Sequence, residues 1–258
     1  MISTRALQIK TKEGKEILQP ISFEAGKGSI LGLYGPNGSG KSSLLRTLAG
    51  LPAEHDVSGL LTLDGIPFPG VLSAEARVEK ILYLGSDFRT SFDLSVRDLF
   101  EMGALVGSGF FQDIGSKERK RISAVVERLD LFPFLTRFFR TLSDGEKQLV
   151  MFARSLIQSS RFVILDETFS KLDLDKLILV ARVIREEARS GRGFIIASHD
   201  LNFLSEVSDE FLFLKQGAFL GKGSVQEMLT PAKLDELYPA LALQVVISPE
   251  TGKWKILY

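Results

Sequence analysis

The chain has 258 residues, enough for one large α/β domain or for a large domain with a smaller one set into it. Lysine plus arginine and aspartate plus glutamate number 32 each, so no net charge attracts a polyanion, and we expect no nucleic-acid partner. Cysteine is absent, which excludes disulfides and thiolate metal sites.

The first third of the sequence predicts short strands around a glycine-rich turn. Its start, MISTRALQIK, lacks the apolar core of a signal peptide, and no apolar run in the chain approaches the ~20 residues needed to cross a bilayer, so we expect a cytosolic protein. Apolar runs predict strands at 6–10, 17–23, 30–34, 60–65 and 80–85, and a helix at 41–51.

The segment 91–139 differs in character from the strands before it. The stretches VRDLFEMGALV and ERKRISAVVERLDLF show helical spacing of apolar residues, which indicates a helical subdomain inserted between core strands. Phenylalanines are frequent here: Phe88, Phe92, Phe110, Phe111, Phe132, Phe134, Phe138 and Phe139. The phenylalanines between 88 and 111 have two equally favoured interpretations. They line a docking cleft for a partner, or they pack in the core.

The second half alternates strands and helices. TLSDGEKQLV, at 141–150, opens a helix with Ser143 as its cap and Glu146 completing a capping box. Strands are predicted at 162–167 and 193–200, and a helix at 174–190 whose buried face is Leu177, Ile178, Ala181, Ile184 and Ala188. A hairpin at 210–223, a helix from Thr230 and two short strands complete the chain. This order predicts an α/β fold with a mostly parallel sheet.

The octapeptide GPNGSGKS, at 35–42, fits the phosphate-loop pattern G-x-x-x-x-G-K-[ST]. It follows a predicted strand and opens a predicted helix, which is the required context. Glycines let backbone N–H groups approach phosphate oxygens, Lys41 reaches the β- and γ-phosphates, and the Ser42 hydroxyl binds Mg²⁺. The alternative is a simple turn, because Asn37-Gly38 is itself a turn dipeptide.

Two further strand ends carry polar residues suited to nucleotide hydrolysis. Asp166 ends the apolar run FVILD and is placed to act beside Mg²⁺, and Glu167 is placed to polarise a water molecule. His199 follows another buried strand, where its imidazole would reach the γ-phosphate and that water. The alternatives are an aspartate that only caps the next segment and a histidine that is a structural hydrogen-bond donor.

In this order, the motifs resemble those of the ATP-binding subunit of ABC transporters over nearly the whole chain. GPNGSGKS corresponds to Walker A, LSDGE to the signature motif, FVILDE to Walker B, SKLD to the D-loop and SHD to the H-loop. Within that family, LSDGEKQ and the tail from 229 resemble importers for iron-siderophore, haem and cobalamin. The resemblance implies a P-loop NTPase core with an antiparallel β subdomain and an inserted helical subdomain.

The resemblance also implies roles for individual residues. Lys41, Glu167 and His199 would be catalytic, Ser42 and Asp166 would hold Mg²⁺, and Asp173 would belong to the D-loop. The nucleotide would be bound by Gly35, Pro36, Asn37, Gly38, Ser39, Gly40, Lys41, Ser42 and Ser43. The γ-phosphate bound by another chain would be contacted by Leu142, Ser143, Asp144, Gly145 and Glu146.

The expected assembly follows from the same resemblance. Two copies would enclose two ATP molecules and drive integral membrane subunits on the inner face of the cell membrane, in a system that includes an extracytoplasmic binding protein. The whole chain would be one ATP-binding domain, with its nucleotide-binding core at 1–90 and 160–228, its helical subdomain at 91–159 and a C-terminal extension at 229–258.

Three positions depart from the family pattern. Lys12 stands where the family usually has an aromatic residue that stacks on adenine, and we expect a weak preference for ATP over GTP. Ser86 stands where the family has a glutamine that touches Mg²⁺, and its shorter side chain would reach the metal only through water; we expect slow hydrolysis, or hydrolysis that depends on partner docking. Thr168 stands where proline usually follows the Walker B glutamate, and we expect some loss of stiffness there.

Two other functions remain compatible with these residues. One is an ABC-type ATPase in a soluble assembly, such as iron–sulfur cluster biogenesis, which predicts soluble partners. The other is a nucleotide-gated binding module with negligible turnover, which the missing glutamine at Ser86 would favour.

Overall fold

The computed structural model describes residues 1–52, 55–68, 74–86, 93–106, 114–239, 244–247 and 254–257. In chain order the elements are β1 (Ile2–Lys10), β2 (Glu16–Ala25), β3 (Ile30–Tyr34), α1 (Lys41–Leu48), β4 (Asp56–Leu63), β5 (Ile66–Pro67), α2 (Ala74–Lys80), β6 (Ile81–Leu84), α3 (Val96–Ala104), α4 (Ser116–Arg128), α5 (Asp144–Ile157), β7 (Phe162–Asp166), α6 (Leu174–Arg189), β8 (Gly193–Ala197), α7 (Leu201–Val207), β9 (Glu210–Lys215), β10 (Ala218–Ser224), α8 (Val225–Met228), α9 (Pro231–Leu237), β11 (Gln244–Ile247) and β12 (Trp254–Leu257).

Three sheets organise these elements. The largest has the strand order β10-β9-β3-β8-β7-β6, in which every neighbouring pair is parallel except β9 and β10. An antiparallel sheet has the order β2-β1-β4-β5, and β11 pairs with β12. The predicted α/β class, with a mostly parallel sheet and an antiparallel β subdomain, is therefore confirmed.

The register of the large sheet fixes where polar residues meet. Leu33 pairs with Ala197, Asp166 with Ala197 on its other side, and Leu84 with Leu165. The carboxyl ends of β3, β6, β7 and β8 therefore lie along one edge. In parallel α/β sheets this edge is where ligands bind.

Two apolar clusters hold the large sheet in place. One packs the sheet against α3, α5, α6 and α7, and includes Phe100, Phe152 and Phe169; the other packs it against α1 and the antiparallel sheet. The rings of Phe152 and Phe169 lie edge to face at 5.2 Å, and Phe169 and Phe203 at 5.8 Å. Because burial of each phenylalanine contributes about 1.5–3 kcal/mol, these rings anchor the segment that follows β7.

Several element boundaries differ from the sequence-based prediction. Helix α1 ends at Leu48 rather than at 51, β4 already begins at Asp56, and helices α2 and α7 were not predicted. The predicted burial of Ile178 on α6 is wrong: its side chain is 60% exposed, while Val180 and Val183 are buried instead. The buried stripe of α6 is therefore rotated around the helix, away from Ile178 and toward Val180 and Val183.

The predicted helical subdomain, 91–159, contains α3, α4 and α5. Phe88, Phe92, Phe110 and Phe111 lie outside the described residues. Of the other phenylalanines in this segment, Phe139 is buried in the core, whereas Phe132 and Phe138 are exposed.

The last strand is attached to α7. The Asn202 side chain accepts a hydrogen bond from the Ile256 N–H at 2.7 Å and donates one to the Ile256 carbonyl at 3.2 Å, and the Ser205 hydroxyl donates to the Trp254 carbonyl at 3.0 Å. Side chains thus satisfy backbone groups that the two-stranded sheet leaves unpaired. Among the described residues, no helix combines the length and apolarity of a membrane-spanning segment.

Candidate functional site

The loop between β3 and α1 has a backbone that only glycine can form at two positions. A Cβ on Gly35 would lie 2.0 Å from the Leu214 carbonyl oxygen. Gly40 has φ +95°, and its Cβ would lie 3.0 Å from the Ile17 carbonyl oxygen. The loop therefore lies so close to β9 and β2 that a side chain at either glycine would collide with a backbone carbonyl.

Helix α1 begins without a side-chain cap. Gly40 caps it without a side-chain hydrogen bond, and its first turn carries no acidic residue. The free N–H groups and the helix dipole therefore favour an anion in front of Lys41. The Ser39 hydroxyl, in the same loop, is buried without a hydrogen-bond partner among the described residues.

Lys41 folds back over the loop that precedes it. Its ammonium group donates hydrogen bonds to the carbonyl oxygens of Gly35 at 2.7 Å and Pro36 at 3.1 Å. Burial lowers the pKa of Lys41, and the nearby carboxylates of Glu167 and Asp166 oppose that shift. The lysine is thus held inside the loop, close to both carboxylates.

Asp166, the last residue of β7, accepts hydrogen bonds from two hydroxyl groups. Ser42 donates to its Oδ1 at 3.2 Å, and Tyr83 donates to its Oδ2 at 2.8 Å. Burial, and then the charge of Asp166, raise the pKa of the Tyr83 hydroxyl. The phenol therefore remains a donor to this carboxylate at physiological pH.

Glu167 and His199 form a pair just beyond the ends of β7 and β8. His199 Nε2 lies 2.7 Å from Glu167 Oε1, and the Glu167 N–H donates to the Ala197 carbonyl at 3.0 Å. Glu167 has φ +52°, a left-handed conformation that costs a non-glycine residue about 1 kcal/mol or more. This conformation places the carboxylate beside the imidazole, and both side chains remain partly exposed to solvent.

Two of the departures from the family pattern, Thr168 and Ser86, follow the ends of β7 and β6. The buried Thr168 hydroxyl donates to the Leu84 carbonyl at 2.9 Å, a hydrogen bond that no proline side chain could make. This bond joins the segment after β7 to the end of β6, so threonine adds a constraint as well as removing one. Ser86 is exposed two residues beyond Leu84.

The capping box predicted for the signature helix is present. Ser143 Oγ accepts from the Glu146 N–H at 3.2 Å, and Glu146 accepts from the Ser143 N–H at 2.7 Å. The backbone bond from Ser143 and the ion pair with Arg137 lower the pKa of Glu146, against an opposing effect of burial. The N–H groups of Asp144 and Gly145 have no acceptor within the described part of the chain.

The start of α5 is joined to the segment 170–173. Gln148, which is buried, donates to the Ser170 hydroxyl at 3.3 Å and accepts from the Lys171 N–H at 2.9 Å. A Cβ on Gly145 would lie 2.6 Å from the Lys171 carbonyl oxygen. Asp173 accepts from the Lys176 N–H at 2.9 Å and so caps α6.

The predicted site residues thus fall into two groups. Lys41, Ser42, Asp166, Glu167 and His199 come together at one sheet edge. Leu142, Ser143, Asp144, Gly145 and Glu146 surround the start of α5, and no hydrogen bond or ion pair within the described ranges joins them to the first group. Sequence reasoning missed Tyr83 and Gln148; the only signal for Tyr83 was one polar hydroxyl in the apolar strand ILYL.

Comparisons with known proteins agree with this arrangement. A family model described as ABC transporter matches residues 18–170. The hemin import ATP-binding protein HmuV of Chelativorans sp. (strain BNC1) is 33% identical over 92% of this chain and 91% of its own length. The protein of the same name from Rhizobium etli is 30% identical over 98% of this chain and 95% of its own length.

A solved structure supports the fold independently. A bacterial ABC transporter cassette, solved as a dimer, has a TM-score of 0.75 and 20% identity, and the match covers 87% of this chain and 99% of that one. The family match includes the phosphate loop, the start of α5 and strand β7, together with Asp166 and Glu167. This chain therefore belongs to the ABC transporter family, as one of its ATP-binding, ATP-hydrolysing subunits.

Proposed function

We propose that this chain supplies the energy for an importer of haem or a related iron-siderophore or cobalamin-like cargo, and that two copies enclose two ATP molecules. The observation that carries the ATPase mechanism is the meeting of Lys41, Asp166, Glu167 and His199 at one sheet edge. The cargo is supported by the shared name of the relatives, which is hemin import ATP-binding protein.

The phosphates of ATP bind in the loop from Gly35 to Ser43. N–H groups at the start of α1 face the phosphate oxygens, and the Lys41 ammonium exchanges the carbonyls of Gly35 and Pro36 for the β- and γ-phosphates. The buried Ser39 hydroxyl gains a partner when this loop is filled. Phosphate binding thus gives the buried Ser39 hydroxyl and the N–H groups at the start of α1 the acceptors that the loop itself does not supply.

Ser42 and Asp166 are the residues that hold Mg²⁺. Their hydroxyl and carboxylate oxygens, 3.2 Å apart, are the hard donors that this ion prefers, and such sites commonly take their other ligands from phosphate and water. The ion would neutralise charge on the phosphates during transfer. The Ser86 side chain is too short to contact Mg²⁺ directly, so we assign it at most a water-mediated contact with the ion.

Hydrolysis uses the Glu167–His199 pair. Glu167 accepts the proton of the attacking water. His199, whose Nε2 lies 2.7 Å from that carboxylate, orients the carboxylate and contacts the γ-phosphate. The backbone bond from Glu167 to Ala197 keeps the carboxylate beside the imidazole. The base is thereby oriented before ATP arrives.

A second copy completes each site. The free N–H groups of Asp144 and Gly145 and the Ser143 hydroxyl form an anion-binding helix end that no residue of the same chain fills within the described ranges. We assign the γ-phosphate of the partner's ATP to this end. Asp173 lies on the adjoining segment 170–173, which Gln148 joins to α5 through Ser170 and Lys171.

The integral membrane subunit docks beside the helical subdomain. A cavity of 290 Å³ there has a mostly apolar lining that includes Leu84, Val106 and Met151, together with the guanidinium groups of Arg77 and Arg154. Burial lowers the pKa of Arg154. Of the docking cleft predicted at 88–111, residues 93–106 are described, whereas its phenylalanines Phe88, Phe92, Phe110 and Phe111 lie outside the described residues.

The remaining assignments follow from the same scheme. The nucleotide-binding core comprises 1–90 and 160–228, the helical subdomain 91–159, and the extension 229–258. Membrane subunits hold the chain on the inner face of the cell membrane, and an extracytoplasmic binding protein delivers the cargo.

Growth on defined iron sources tests this function. We expect cells that lack the gene to lose growth when hemin is the only iron source and to keep growth on inorganic iron. A plasmid copy with Glu127→Gln, an exposed carboxylate on α4, should restore growth, whereas Glu167→Gln should not. Loss of growth on every iron source would indicate a role in a soluble assembly instead, and undiminished growth on hemin would refute the haem cargo.

A further inference from the structure

We propose that Tyr83 is a positioning residue for Asp166: its hydroxyl holds one carboxylate oxygen and thereby keeps the other oxygen directed at Ser42. The inference rests on the proposed function, because it concerns the carboxylate assigned to Mg²⁺. It gives strand β6 a contact with the Mg²⁺ site, whereas the family pattern places such a contact at the position of Ser86.

The Asp166 carboxylate has few partners. Asp166 is only 5% exposed, so each of its oxygens needs a hydrogen-bond donor from the protein. Oδ1 has the Ser42 hydroxyl at 3.2 Å, and Oδ2 has the Tyr83 hydroxyl at 2.8 Å. The two hydroxyls take opposite oxygens, and together they fix rotation of the carboxylate about its Cβ–Cγ bond.

The position of Tyr83 is itself fixed by the sheet. Tyr83 pairs with Ile164, two residues before Asp166 on the neighbouring parallel strand. Its ring lies so close to Gly85 that a Cβ there would be 3.4 Å from ring and hydroxyl atoms. The phenol is therefore delivered by a strand rather than by a mobile loop, which is the arrangement that positions a ligand best.

This contact gives the end of β6 a link to the nucleotide site that does not pass through Ser86. Ser86 is exposed and makes no hydrogen bond within the described residues, whereas Tyr83, three residues earlier, contacts the carboxylate directly. Residues that orient a metal-binding side chain typically contribute 10–100-fold to metal affinity. We therefore expect the Tyr83 hydroxyl to matter for Mg²⁺ and not for ATP alone.

The test measures binding of a fluorescent ATP analogue to the full chain, first in EDTA and then with increasing Mg²⁺. For Tyr83→Phe we expect unchanged affinity in EDTA and a roughly tenfold rise in the Mg²⁺ concentration at half-maximal enhancement of binding. Tyr238→Phe is the control, because it removes a hydroxyl from another half-buried tyrosine, one that packs against the other apolar cluster, and should leave both values unchanged. Thermal melting of each variant verifies that it is folded.

Three outcomes would overturn the inference. A Tyr83→Phe midpoint within about twofold of wild type would show that the hydroxyl does not position Asp166. An equal loss of affinity in EDTA would show that Tyr83 shapes the nucleotide pocket as a whole. A wild-type chain that binds the analogue equally well with and without Mg²⁺ would overturn the assignment of Ser42 and Asp166 as well, so the two failures are distinguishable.

Discussion

Replacing Glu167 by glutamine is expected to lower ATP turnover by about a thousandfold and to leave ATP binding intact. The change keeps the size of the side chain and a hydrogen-bond acceptor for His199 Nε2, 2.7 Å away in the wild type. It removes the group that accepts the proton of the attacking water, and such groups typically contribute 10²–10⁴-fold. Phosphate release under single-turnover conditions, beside ATP binding by fluorescence, measures both quantities.

Glu127→Gln is the matched control for this variant. Glu127 is an exposed carboxylate on α4, so its loss changes the net charge equally without touching the site. We expect turnover like that of wild type. A Glu167→Gln chain that still hydrolysed ATP within tenfold of wild type would show that another group accepts the proton.

Lys41→Ala is expected to weaken ATP binding by roughly a hundredfold, which corresponds to about 3 kcal/mol. The ammonium is the one cationic side chain of the phosphate loop, and it is already held there by the carbonyls of Gly35 and Pro36. Its loss leaves the β- and γ-phosphates with backbone donors alone. Equilibrium dialysis with labelled ATP and Mg²⁺ gives the affinity directly.

Lys120→Ala controls for the loss of a positive charge, since Lys120 is exposed on α4. Its affinity for ATP should equal that of wild type. If both lysine variants lost affinity equally, net charge rather than the phosphate loop would govern binding. If neither lost affinity, the ammonium of Lys41 would not contact the phosphates.

The sequence was informative where a backbone pattern carries the chemistry. The run ILGLY gave the bounds of β3, and GPNGSGKS placed the loop in front of α1, because glycine requirements and strand-to-helix transitions are local. The capping box at Ser143 and Glu146 is equally local and is present. The family resemblance stated from these motifs is confirmed by the family match.

The sequence was less informative where distant segments meet. The contacts of Tyr83 with Asp166, Thr168 with Leu84 and Gln148 with Lys171 depend on strand register and helix packing, which no short pattern encodes. The exposure of Ile178 has the same origin, since apolar residues lie on several sides of α6 and their spacing alone does not set which side faces the core.

The most direct test of the two-copy site uses the absence of native cysteine. The chain with Asn37→Cys and Ser143→Cys, in a Glu167→Gln background that retains ATP, would be treated with a short bis-maleimide and resolved by denaturing electrophoresis. The proposed assembly places the phosphate loop of one copy against the start of α5 in the other, so we predict cross-linked dimers with Mg-ATP, and few without it or with either cysteine alone. Equal cross-linking with and without nucleotide, or none despite bound ATP, would contradict a site shared between two chains.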